Sequence, residues 1–106
     1  MAIENLRVLF GCKIYGEYAE IKSRVLGMTK EEIYKNSYYI DSMISLYEML
    51  LDMSQQMEEG QLISLLIRPH LLTFLYDRWL KVEDSTWEEM KICTQESIAL
   101  LERKVA

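Results

Sequence analysis

A chain of 106 residues, 50% hydrophobic and 27% charged, has the size and make-up of one globular domain. One proline and four glycines are too few turn-makers for a sandwich or barrel of many short strands. Twelve basic residues against seventeen acidic ones leave a net charge of -5, which a phosphate backbone repels, so nucleic-acid binding is disfavoured.

Ile3, Leu6, Phe10, Ile14, Tyr18, Ile21 and Val25 recur every three or four residues, which predicts one face of a helix over about 3–26. Gly11 and Gly16 each weaken that helix by roughly 1 kcal/mol. A kink or a close helix contact is therefore expected there, and Gly27 suits the C-terminal cap. Thr29 and Glu32 have the spacing of a capping box, and Glu31 adds charge that suits the positive helix end. Ile33, Ser37, Ile40, Ile44, Tyr47 and Leu51 then repeat beside a polar ridge of Asp41, Ser45, Glu48, Asp52 and Gln55. One helix to about residue 57 would be roughly 40 Å long. A break at Asn36-Ser37 is expected, because both side chains favour caps over helix interiors.

Gly60 closes that element. Leu62, Ile63, Leu65, Leu66 and Ile67 predict a short apolar helix, and Pro69 suits the first turn of the next one. That helix turns Leu71, Leu72, Leu75 and Trp79 inward and His70, Thr73 and Asp77 outward. A polar link over 81–84 precedes Ser85 and Glu88, a second capping-box pair. The last helix has Trp87, Thr94, Ile98, Leu101 and Val105 as its inward stripe, helped by Met90. The prediction is all-α: a single domain over 1–106, a compact bundle of four to five helices, mostly antiparallel.

The chemistry-bearing residues are sparse. His70 is the only histidine, with Ile67 three residues before it, so the Glu-x-x-His pair of two-iron bundles is missing. Cys12 and Cys93 have no spacing that suits zinc, and no glycine-rich phosphate loop exists. Glu17/Glu20, Glu31/Glu32, Glu58/Glu59 and Glu88/Glu89 fit solvated faces or helix starts better than acid–base pairs. The expectation is a chain with no catalytic residue, no metal and no cofactor. Met1 to Phe10 contains Glu4, Asn5 and Arg7, which breaks up any secretory leader. No apolar run approaches the 18 or so residues of a membrane span. A cytoplasmic chain with reduced thiols follows as the expectation, with both cysteines as small buried hydrophobes.

Met43, Leu46, Leu50, Met53 and Met57 form a second apolar stripe on the second helix, spaced 3, 4, 3 and 4 apart. A helix apolar on two sides is either buried all round or offers one side to a partner. The stripe is thus a central core element or an adaptable, methionine-rich contact surface. Residues 36–67 hold Asp41, Glu48, Asp52, Glu58 and Glu59 and no basic residue, which favours a basic partner. Seven tyrosines suit core edges and interfaces. These features point to a non-catalytic protein–protein interaction module, with self-association into a homodimer as one form. The alternative is an acidic regulator of a nucleic-acid-acting enzyme.

Three stretches, Tyr15-Gly16-Glu17-Tyr18, Thr29-Lys30-Glu31-Glu32-Ile33 and Leu75-Tyr76-Asp77-Arg78-Trp79-Leu80, resemble an uncharacterised family of small helical proteins from Gram-positive gut bacteria. The resemblance implies a bacterial, cytoplasmic protein. It brings no activity and no residue roles.

Overall fold

The computed structural model describes residues 2–81 and 87–105. Its helices are α1 (Ile3–Leu26), α2 (Lys30–Lys35), α3 (Ser37–Ser54), α4 (Glu59–Leu66), α5 (Leu71–Trp79) and α6 (Trp87–Val105). No strand occurs among the described residues, so the chain is all-α, with six helices in place of four to five. The extra helix comes from Asn36, whose φ of -104° and ψ of 17° leave the helical region. Its side-chain amide turns back to donate to the Glu32 carbonyl at 2.8 Å. The Thr29–Glu32 capping box forms as predicted: Glu32 N–H donates to Thr29 Oγ1 at 3.1 Å, and Thr29 N–H donates to Glu32 Oε1 at 3.0 Å.

α1 and α3 run antiparallel, since Arg7 meets Ser54 at one end and Ile21 and Val25 lie beside Ile40 and Met43 at the other. α4 and α5 pack against α1, α5 also covers α3, and α6 closes over α4 and α5. Phe10, Ile14, Leu46, Leu50, Leu62, Leu65, Leu71, Leu72 and Leu75 are fully enclosed. Each contributes about 2 kcal/mol from burial. The inward stripes of α1 and α5 fall where the periodicity puts them.

Several local expectations are corrected, among them Gly60, which lies in the first turn of α4 and does not close the preceding helix, since that helix ends at Ser54. Gly11 and Gly16 mark no close contact, because a Cβ at either would meet nothing within 4 Å. Pro69 lies in a turn ahead of α5 rather than in its first turn. His70 takes the N-cap position there with φ 51° and ψ 50°, a left-handed conformation that histidine tolerates better than most residues. Val105 is exposed, not inward. Glu102, a turn earlier, already sits beside Gly60 at the start of α4, so Val105 has passed the end of its neighbour. Met90, Thr94, Ile98 and Leu101 are buried as expected. The Ser85 cap, the 82–84 part of the polar link and the Trp87 side chain lie outside the described residues.

α1 also completes two other helices. The last turn of α3 contains no basic residue, and its end carbonyls need donors. Arg7 supplies one, with Nε to Ser54 O at 3.0 Å, a terminal nitrogen reaches Met57 O in the turn that follows at 3.4 Å, and its other nitrogen pairs with Glu4 at 2.8 Å. A cation there also suits the negative helix end. α5 has no side-chain cap of its own. Glu17 provides one from α1: its Oε1 accepts from Leu72 N–H at 2.9 Å, and its Oε2 lies 3.0 Å from Lys13 Nζ.

Candidate functional site

The methionine stripe, offered as an interface and read as either core or contact surface, is mostly core. Met43, Leu46, Leu50 and Met57 are buried, and Met53 is half-buried. The cause is the position of α3, which α1 and α5 cover on that side. Met53 and Met57 reach the floor of a cleft of about 310 Å³ between α3, the start of α4 and α6. Its remaining walls are Asp52, Gln56, Gln61, Lys91 and Gln95 over Ile98, a rim of amides and charges that water satisfies well.

The other apolar row of α3 faces outward. Ile40, Ile44 and Tyr47 are half-buried and Leu51 is exposed. Tyr47 stacks on Tyr18 of α1 with parallel rings and centroids 4.4 Å apart. Beside this stack runs a groove of about 210 Å³, with Tyr18, Ile21, Val25 and Leu26 on one wall and Ile40, Met43 and Ile44 on the other. Lys22 is the one charged residue lining it. The same flank of α1 carries Val8 and Tyr15, seven residues apart and therefore on one side of the helix. Val8 is 65% exposed, Tyr15 61% and Leu26 75%. Beyond the α3 row lies the predicted polar ridge, with Asp41, Glu48 and Asp52 all exposed.

A smaller groove of about 180 Å³ lies on the other flank of α1's last turns, between Ile21, Arg24, Val25 and Met28 and the residues Asn36 and Tyr39. Tyr39 meets Tyr76 edge-on at 5.0 Å, and burial pushes the Tyr76 hydroxyl above the ordinary tyrosine range. α2 buries none of its own residues, and Tyr34 is 81% exposed.

The histidine and the two cysteines stay apart. His70 is exposed and borders a hollow of about 30 Å³ with Glu17, Glu20 and Thr73 that neither cysteine lines. Cys12 is exposed on α1, contrary to the expected burial, because it lies opposite that helix's packed face. Cys93 is buried, and burial raises its thiol pKa while Arg78 nearby opposes the rise. Arg78 Nε donates to Ser97 Oγ at 2.6 Å, and that hydroxyl donates to the Cys93 carbonyl, joining α5 to α6. Among the described residues no group of three or more His, Cys, Asp or Glu is placed to hold a metal. No helix among them is long and apolar enough to cross a membrane.

Comparison with protein families, curated proteins and solved structures finds no match to this chain. The outward face of α1 and α3 is therefore judged on its own geometry. Sequence periodicity left it out for a specific reason. Val8, Tyr15 and Leu26 are interrupted by Gly11, Cys12 and Lys22, so they do not read as a continuous apolar stripe.

Proposed function

We propose that this chain is a non-catalytic, cytoplasmic protein–protein interaction module whose working surface is the outward apolar face of α1 and α3. One observation carries it: the 210 Å³ groove and the Tyr18–Tyr47 stack are continuous with exposed Leu26, although the core behind them is already filled. Apolar area left in water forgoes roughly 25 cal/mol per Å² that a partner would recover. Contiguous patches of this kind mark contact sites rather than ordinary surface.

The test compares immobilised wild type, Ile44→Glu and a distant Lys91→Glu control in native lysate, with far-UV circular dichroism as the folding check. Wild type and the control retain a common partner, a second copy of the chain included, and Ile44→Glu loses it. Equal capture by Ile44→Glu counts against this surface.

The exposed row of Asp41, Glu48 and Asp52, with Glu58 and Glu59 exposed beyond the end of α3, favours a second use as an acidic regulator of a nucleic-acid-acting enzyme. Charge reversal at Glu48 and Asp52 with Ile44 intact separates the two. Loss of capture by that variant alone supports the acidic mode, and retained capture removes it.

A further inference from the structure

We infer that the cleft between α3, the start of α4 and α6 binds a small zwitterion: a free α-amino acid with a large apolar side chain. The inference goes beyond the interaction surface proposed above and uses a different part of the molecule.

Size comes first. The cleft holds about 310 Å³, at the lower end of the range for small-molecule sites. A partner's helix, about 10 Å across, is too wide for a hollow of this size. The floor is apolar, made by Met53, Met57 and Ile98. Met57 and Ile98 are buried in the core and hold it in place. Met53 is half-buried, and its thioether adapts to the shape of an incoming side chain and contacts aromatic rings favourably.

Charge selects the ligand. Asp52 enters from α3 and Lys91 from α6, so opposite charges line one cleft. Neither forms an ion pair or a side-chain hydrogen bond among the described residues. A ligand with one charge answers one of them and takes water from the other, which costs binding. A ligand with both charges answers both. An α-amino acid carries ammonium, carboxylate and side chain on a single carbon. Its carboxylate turns to Lys91, its ammonium to Asp52 and its side chain to the methionine floor. Gln61 adds a positioned donor. Its Oε1 accepts the Glu58 N–H at 3.0 Å, which fixes the amide and leaves its NH₂ for the carboxylate. Asp52, Lys91, Gln56 and Gln95 are exposed, and water satisfies them when the cleft is empty. The charges therefore set selectivity, and the floor supplies most of the affinity. A ligand of about a dozen heavy atoms held in this way has a Kd of about 1 mM.

The experiment is an NMR titration of the labelled chain with L-phenylalanine, with circular dichroism confirming the fold of each variant. Wild type shows saturable shifts centred on the amides of Met53, Met57, Gln61 and Gln95. Lys91→Glu weakens binding about tenfold, because two negative groups then face each other. Asp52→Asn weakens it about threefold, and Tyr34→Ser on α2 leaves it unchanged. Lys91→Glu keeps the α1/α3 face intact, so it loses phenylalanine without losing the partner captured there. 3-Phenylpropionate and phenethylamine, with one charge each, bind more weakly than phenylalanine, and glycine, with no side chain, gives no saturable shift. A one-charge compound that binds as tightly as phenylalanine overturns the zwitterion. Unchanged affinity in Lys91→Glu overturns the role of the charges. Absence of saturable shifts with wild type, or shifts centred outside the cleft, overturns the site.

Discussion

The two ends of the α1–α3 pair differ in how their polar and apolar groups are used. Where α1 begins and α3 ends, Arg7 joins the Ser54 and Met57 carbonyls, and Leu6 and Phe10 are buried. Where α1 ends and α3 begins, Ile21 and Val25 are walled by grooves on both flanks, Leu26 is exposed, and α2 buries nothing. The first end ties its two helices together through a side chain, and its outward Val8 and Leu51 stay exposed. The second has no such tie and is flanked by open grooves. The difference lies in how each end is fastened, while the outward apolar row runs past both.

The contrast breaks most severely at Phe10. Phe10→Ala opens a cavity in a fully enclosed site and costs about 3–5 kcal/mol in urea or thermal unfolding. Arg7→Met keeps the aliphatic stem but strips the Ser54 and Met57 carbonyls of their charged donor, and costs about 2 kcal/mol by the same measurement. Glu17→Ala removes the remote cap of α5 and costs about 1 kcal/mol, with faster hydrogen exchange at the Leu72 amide as the local signature. Gly16→Ala acts in the opposite direction. It gains about 1 kcal/mol, because the new methyl meets nothing and the helix loses a flexible residue. The smallest effect lies at α2. The Thr29 backbone N–H, then its hydroxyl, hold the Glu32 carboxyl below the ordinary carboxylate range. The folded value being the lower one, the capping contact is present above that range and is lost as pH falls through the folded value. NMR titration below about pH 4 then shows α2 fraying first, while the amides around Phe10 stay protected.

Features encoded within a few residues were legible. The inward stripes of α1 and α5 follow from a period near 3.6, and the α2 start follows from Thr29 and Glu32 three apart. Asn36 ended a helix as its capping preference implied. Which side of α3 is inner was not legible, because Met43, Leu46 and Leu50 repeat as regularly as Ile40, Ile44 and Leu51. Only the placement of α5 against the first set decides it. The roles of Arg7 and Glu17 bridge separations of 47 and 55 residues, so no local pattern announces them. His70 took a left-handed conformation that Pro69 before it did not signal. The candidate face was missed for the related reason that it is assembled from two helices, neither of which shows it alone.

Arg7 and Glu17 have a consequence for how the molecule comes apart. Both belong to the first helix, yet one finishes the third and the other starts the fifth. Detaching that helix would strip a terminus from each of two distant segments at once, in addition to the core it covers. Those segments should not melt one after another. They should be lost in a single all-or-none event, with fragments that lack residues 3–26 failing to hold native structure.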